Sequence, residues 1–371
     1  MVWKRLSGKM LGVYIHIPFC KKICNYCDFC KMYYDTGYVL KYLDRLELEI
    51  KDRYNNEEID TIYIGGGTPN CLNMDELKRL FEIIKIFKLK NNYEFTVECN
   101  IESIDREKIE LFKNNGVNRL SFGVQSFDDE LLKILGREHN KEMVFEKINL
   151  CKEYFDNISI DLIYGVDNDI EKVKDDIDDY LKLDIPHISC YSLILEENTK
   201  LYIDKYKYID EDNDYEMFKY IDDKLSKNGY RHYEISNYAK DGMISMHNKN
   251  YWLNGDYYGF GLGAVSYLNN YRVSNTKNMR KYLIGEYNLD NVYEDENTRK
   301  ENDLILGFRM LDGINYNLFN KKYDDDLLNR GIIRELIMCG KLEVSGEYIR
   351  CNNKYIYLLN DILVEIIGSD L

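Results

Sequence analysis

Proline is scarce in this sequence: three residues in 371, at Pro18, Pro69 and Pro186. Long apolar runs are absent, and none approaches the ~18 residues a membrane-spanning helix needs. With 45% hydrophobic and 31% charged residues, the chain is still too apolar to remain disordered. Positive charge is in deficit, 50 Lys and Arg against 65 Asp and Glu, for a net charge of −15. Such a surface repels phosphate backbones and anionic lipids, which argues against a general nucleic-acid or membrane binder. Met1-Val2-Trp3-Lys4-Arg5 leads into no apolar signal core, so a cytoplasmic protein without an integral membrane segment is expected.

Cysteine is present in quantity, and its distribution is uneven. Of ten cysteines, Cys20, Cys24, Cys27 and Cys30 fall within eleven residues, and the other six are scattered. In a long cytoplasmic chain this clustering points to a metal or iron–sulfur centre rather than a disulfide framework. Cys20-x3-Cys24-x2-Cys27 offers three thiolates from one loop, which suits a four-iron cubane with one iron left open. The alternative is a zinc site that adds Cys30 as the fourth thiolate.

Alternating or β-branched runs recur at residues 11–18, 61–64, 93–98, 119–124, 158–163 and 187–193. Between them lie helix-period stretches at 38–54, 75–87, 104–115, 143–155 and 170–183. Strands alternating with helices imply a parallel sheet. The expected fold is α/β, a partial parallel (β/α)6 TIM-like barrel over residues 1–200. A Tyr- and Gly-rich barrel-flanking extension follows at 201–297, then a small winged-helix-like domain at 298–371, with a helix at 327–339 and strand alternation at 348–357.

In parallel α/β folds, chemistry collects at the carboxyl ends of strands. The first strand here runs into Cys20, the second into Gly65-Gly66-Gly67-Thr68-Pro69, the third into Glu98, the fourth into Gln125 and the sixth into Tyr191-Ser192, with Asp161 inside the fifth. Taken singly, a Gly-Gly-Gly turn or a terminal carboxylate says little. Their placement at successive strand ends makes one shared site.

Cys-x3-Cys-x2-Cys after a strand, followed by GGGTP, resembles the radical S-adenosylmethionine (SAM) superfamily. Tyr14-Ile15-His16-Ile17-Pro18-Phe19-Cys20, Gly123-Val124-Gln125-Ser126, Gly136-Arg137-Glu138-His139 and Asp161-Leu162-Ile163-Tyr164-Gly165 resemble the oxygen-independent coproporphyrinogen III oxidase family. Tyr233–Ala239 and His247-Asn248-Lys249-Asn250-Tyr251-Trp252 resemble its HemW-type heme-chaperone branch. The resemblance implies a [4Fe–4S] cluster on Cys20, Cys24 and Cys27. It also implies S-adenosylmethionine on the open iron, and its reductive cleavage to a 5′-deoxyadenosyl radical by a one-electron reductant. Tyr14, Tyr26, Gly66, Gly67, Thr68, Glu98, Gln125, Arg137, Asp161 and Ser192 would line the nucleoside pocket. The chaperone branch further implies heme, with His247 as a candidate iron ligand, and a heme-accepting protein as partner. The second reading is the oxidase itself, decarboxylating coproporphyrinogen III to protoporphyrinogen IX. The oxidase carries one more cysteine, two positions after the third. Phe29 stands there, as in the chaperone branch, so no coproporphyrinogen dehydrogenase activity is expected. Cys30 matches neither pattern.

Overall fold

The computed structural model describes residues 10–368. The Met1–Arg5 segment and the last three residues of the expected C-terminal domain lie outside them. Six strands carry the first half: β1 (Leu11–Ile17), β2 (Glu58–Gly66), β3 (Lys88–Cys99), β4 (Arg119–Gln125), β5 (Ile158–Tyr164) and β6 (His187–Ser192). The crossovers are α1 (Thr36–Arg53), α2 (Met74–Ile84), α3 (Arg106–Asn114), the pair α4 (Asp129–Leu135) and α5 (Lys141–Lys152), and α6 (Ile170–Leu183). Many of the abundant acidic and amide residues serve as helix caps. Asp35, Asp105, Asp128, Asn140 and Asp169 accept from the first turns of their helices, and Asn73 with Glu76 forms a reciprocal capping box. Each such cap contributes about 1 kcal/mol.

Next come α7 (Glu211–Lys227), β7 (Arg231–Glu234), β8 (Asn237–Ala239), α8 (Met246–Trp252), β9 (Asp256–Phe260), β10 (Val265–Leu268), β11 (Tyr271–Asn275) and β12 (Asn288–Tyr293). All twelve strands form one open sheet in the order β12-β11-β10-β9-β1-β2-β3-β4-β5-β6-β8-β7. Pairing is parallel from β9 to β6 and antiparallel beyond both ends. Position 200, the expected end of the barrel core, therefore does not bound the sheet. β9 lies beside β1, Leu11 opposite Asp256, and gives the first strand a parallel neighbour on each side.

Strand register sorts the side chains onto two faces, because successive residues point to opposite sides. One face is apolar: Val13, Ile15, Ile62, Ile64, Val97, Leu120, Phe122, Ile160 and Ile188 are buried in the main core with Leu43, Leu46 and Ile50 of α1. Complete burial of such side chains is worth about 1.5–3 kcal/mol each. The other face is polar. Tyr14 pairs with Tyr63, Tyr63 with Thr96, Thr96 with Arg119, Gly123 with Asp161, and Asp161 with Ser189.

The C-terminal unit has its own core, built on Leu304, Phe308, Ile333, Leu336, Ile349 and Ile362. It comprises α9 (Glu296–Phe308), β13 (Ile314–Asn315), α10 (Tyr316–Tyr323), α11 (Gly331–Met338), β14 (Leu342–Ser345), β15 (Tyr348–Cys351) and α12 (Leu359–Gly368). Its sheet order is β13-β15-β14, antiparallel throughout. Two details differ from expectation. Arg330 is extended, so residues 327–339 split into a short 3-10 turn and α11. The expected strand over 348–357 stops at Cys351, where Asn352 caps a 3-10 segment through Lys354 N.

Candidate functional site

The cysteine loop leaves β1 at Pro18 and is pinned on both sides. A short parallel bridge pairs Phe19–Cys20 with Met32–Tyr33. At its centre, Asn25 donates through its backbone N–H to Leu135 O (2.9 Å) and through its side chain to Ile134 O (2.8 Å), and its carbonyl accepts from Leu201. These contacts tie the loop to the end of α4, a helix the sequence pattern did not reveal because it is only seven residues long. α4 ends at Gly136, which is left-handed with φ +77°, and a Cβ there would meet the Asn25 side chain at 2.9 Å. Glycine is thus required on two counts.

That turn delivers Arg137. Its Nη1 donates to Cys24 Sγ (3.3 Å), and its Nη2 to Asn100 Oδ1 (3.0 Å) and Gly123 O (2.6 Å). Glu102 lies 3.6 Å from the guanidinium and 3.1 Å from His139 Nδ1. Burial works against the Glu102 charge, yet the His139 hydrogen bond and the Arg137 charge hold its carboxyl at about 2. Tyr26 packs against Leu131, Leu135 and Ile163 beside this arginine.

The three glycines after β2 have three separate reasons to be there. A Cβ on Gly65 would lie 2.7 Å from Glu98 Oε2, one on Gly66 2.7 Å from the His16 ring, and one on Gly67 2.8 Å from Cys20 Sγ and Phe19 O. The turn is a cradle for a carboxylate, an imidazole and a thiol. Thr68 closes it, donating to Cys20 Sγ (3.6 Å) and accepting from Asn100 Nδ2 (3.1 Å).

Glu98 accepts from Tyr63 OH (2.7 Å) and Gly66 N (3.0 Å). Burial, aided by the nearby Asp161, nevertheless pushes its pKa to about 7. Burial also lifts Asp161 to about 6, against a hydrogen bond from Ser189 and the charge of Arg119. Arg119 is itself 2% exposed. It supplies the positive charge of this polar face, and its register opposite Thr96 places it there. Gln125 sits at a bulge with φ +75°, its amide close under Gly123. Ser192 donates to Asp214 Oδ1 (2.5 Å), whose Oδ2 accepts from Tyr357 OH of the C-terminal unit (2.8 Å).

Tyr14 borders a cleft of about 600 Å³ that it shares with Phe29, Cys30, Tyr251, Arg272 and Lys277. His16 Nε2 donates to Cys30 O (2.6 Å), so its Nδ1 accepts from Tyr14 OH (2.9 Å). Burial keeps that ring neutral by lowering its pKa to about 4.

His247 occupies a different setting from the one expected of a heme ligand. It is 1% exposed on α8, with Nδ1 bonded to Thr61 Oγ1 and Nε2 to Tyr251 OH, both at 2.8 Å. Its ring stacks on Tyr63 at 5.1 Å, and burial lowers its pKa to about 3. Glu94 accepts from Met246 N and His247 N and holds α8 against the sheet. As placed, neither ring nitrogen is free for an axial iron bond. The residues that do hold the centre together and that the sequence reading passed over are Arg119, Tyr63, His16, Asn25, Asn100 and Glu102. A lone arginine opening an otherwise uncharged strand was the one available signal, at Arg119.

The sequence model of the radical SAM superfamily matches residues 14–180. A heme chaperone HemW of Lactococcus lactis is 36% identical over 97% of this chain and 98% of its own length. One from Bacillus subtilis is 36% identical over 97% and 100%. The chain belongs to the HemW family of radical SAM proteins. The coproporphyrinogen III oxidase (HemN) of Escherichia coli, a radical SAM enzyme, shares the fold, with a TM-score of 0.85, 22% identity, and coverage of 96% of this chain and 90% of that one.

Family membership implies a [4Fe–4S] cluster and S-adenosylmethionine. The donor set fits the cluster. Burial lifts the Cys20 thiol to about 11 and raises that of Cys27, and the neighbouring cysteines of the loop add to both shifts. Three crowded, partly buried thiols become thiolates readily only with positive iron beside them. A cubane takes each thiolate on a different iron.

Proposed function

We propose that this chain is a cytoplasmic heme chaperone that carries a [4Fe–4S] cluster on Cys20, Cys24 and Cys27, binds S-adenosylmethionine beside it, and passes heme to a recipient protein. The observation that carries the reading is near-complete alignment, at 36% identity, with relatives named for that role. When bound, the cluster supplies one-electron chemistry from an external reductant. The chain's own residues do the holding. Arg137 and Thr68 steady the sulfurs of Cys24 and Cys20. Gly66, Gly67, Glu98, Gln125 and Asp161 offer backbone and carboxylate partners for an amino acid and a ribose. Tyr14, Tyr26 and Ser192 complete the proposed nucleoside surroundings. Phe29, 66% exposed, has no group to ligate metal or donate a proton where the oxidase has its additional cysteine, which speaks for carriage over decarboxylation.

The test is anaerobic reconstitution followed by three measurements. About four irons per chain are expected, together with calorimetric binding of S-adenosylmethionine and transfer of bound hemin to an apo-hemoprotein. Stoichiometric zinc without iron would overturn the cluster assignment. Multiple-turnover formation of protoporphyrinogen from coproporphyrinogen III would replace carriage by oxidation.

A further inference from the structure

The helix that buries His247 turns other residues the opposite way. Residues four apart share a helix face, and His247 and Tyr251 meet inside the sheet. Lys249 and Trp252 instead line a second groove of about 800 Å³, between α8 and the C-terminal unit. That volume lies within the usual range for small-molecule sites. The groove is separate from the cleft beside the cysteine loop and shares no lining residue with it.

Its chemistry is unusual for this chain. The net charge of the protein is −15, yet the groove carries four cations, Arg231, Lys249, Lys322 and Arg350, against two carboxylates, Asp303 and Asp312. Lys249 is 5% exposed, and burial lowers its pKa while Asp312 opposes the shift. Apolar surface lies between the charges. Trp252 and Phe319 line the walls, and Leu318 stands 66% exposed. The indole N–H of Trp252 is buried and finds no hydrogen-bond partner among the described residues.

We propose that this groove holds the heme. The proposal rests on the heme-carrier reading and gives it a place. Heme is a flat apolar macrocycle with two propionates, and a groove with apolar walls and four cations in its lining matches that shape and charge, although Arg231 is paired with Asp312, Lys322 with Asp303 and Arg350 with Glu343. Trp252 and Phe319 lie along the macrocycle, and Lys249, Arg231, Lys322 and Arg350 meet the propionates. The position also explains why the His247–Trp252 segment couples the sheet to the C-terminal unit: His247 anchors the helix, and its far side presents the ligand-facing residues.

The experiment uses full-length, cluster-loaded protein in a Trp3→Phe background. The sequence has two tryptophans, so emission then comes from Trp252 alone. Hemin and iron-free protoporphyrin IX should each quench it with one-to-one stoichiometry, since recognition is of the macrocycle and its carboxylates. Lys249→Glu with Arg350→Glu should weaken hemin at least tenfold and leave the iron–sulfur absorption unchanged. Because Lys249 is buried, Leu318→Asp with Lys322→Ala provides a second pair at more exposed positions, checked for an unchanged urea midpoint, and a similar loss is expected. Exposed Lys85→Glu serves as the control and should bind like the parent. If the parent binds hemin and both pairs bind it equally well, or if Lys277→Glu in the other cleft alone removes binding, the groove assignment is overturned and the carrier reading stands. A parent that binds no hemin overturns both.

Discussion

Arg137 donates to the sulfur of Cys24 across 3.3 Å, joining the turn after α4 to the cysteine loop. The same guanidinium binds Asn100 and Gly123 O and faces Glu102. One buried side chain thus fixes the cluster loop relative to the ends of β3 and β4. Arg137→Met would leave Glu102 without its cation. A loss of about 3–5 kcal/mol in urea unfolding of the cluster-free protein is expected, the usual cost of breaking a buried pair. Iron content after reconstitution should fall with it. A fully stable variant with normal iron would show that Cys24 needs no such support.

Gly67→Ala brings a methyl group to within 2.8 Å of both Cys20 Sγ and the carbonyl of Phe19. Backbone on one side leaves little room to yield, and overpacking of this kind costs about 1–3 kcal/mol. A lower melting temperature and reduced iron per chain are expected. The same substitution at Gly229, where a Cβ meets nothing within 4 Å, should leave iron content alone.

Glu98 has a native pKa raised from 4.5 to about 7 by burial, so the folded state keeps a proton that the unfolded state gives up. Its stabilising contribution is complete below pH 4.5 and is lost as pH rises toward 7. Asp161, raised from 3.8 to about 6, acts in the same direction. The cluster-free protein should therefore lose stability between roughly pH 4 and 7, by on the order of 3 kcal/mol from Glu98. Glu98→Gln should flatten that slope and raise stability at pH 8, as read from urea midpoints. An unchanged slope would mean Glu98 is ionised throughout.

His247→Ala strips a partner from Thr61 and from Tyr251. Each buried hydroxyl left unsatisfied costs about 1–3 kcal/mol. The variant should unfold at lower urea, and its hemin absorption band should keep the position seen in the parent. A shifted band with undiminished stability would return His247 to the role of iron ligand.

Cys30→Ala should reconstitute to the parent's iron content, whereas Cys20→Ser, Cys24→Ser and Cys27→Ser should each lose the cluster. Cys30 engages the site through its carbonyl, held by His16 Nε2, and alanine keeps that carbonyl. Loss of iron in Cys30→Ala would revive a four-thiolate centre.

The local order of the chain was legible in the sequence. Alternating runs and helix-period stretches set out β1 to β6 and most crossovers, because two-residue and 3.6-residue periods are properties of neighbours along the chain. Cys20, Cys24, Cys27 and the glycines after β2 could be found for the same reason, since spacing within a loop is local. What could not be read was everything that depends on partners far apart. β9 pairs with β1 across more than two hundred residues of sequence, and no periodicity encodes a strand's neighbour. The register across β1 to β6 decided that Glu98, Arg119 and Asp161 share one polar face. The sequence showed a Tyr- and Gly-rich stretch around His247 and Tyr251, and the structure makes it the short helix α8. Only packing of α8 on β2, through Thr61 and Tyr63, decided that its His247 face points inward and leaves Lys249 and Trp252 to the groove. Burial then decides the chemistry, because the same imidazole is an open ligand in water and a neutral structural link inside a sheet.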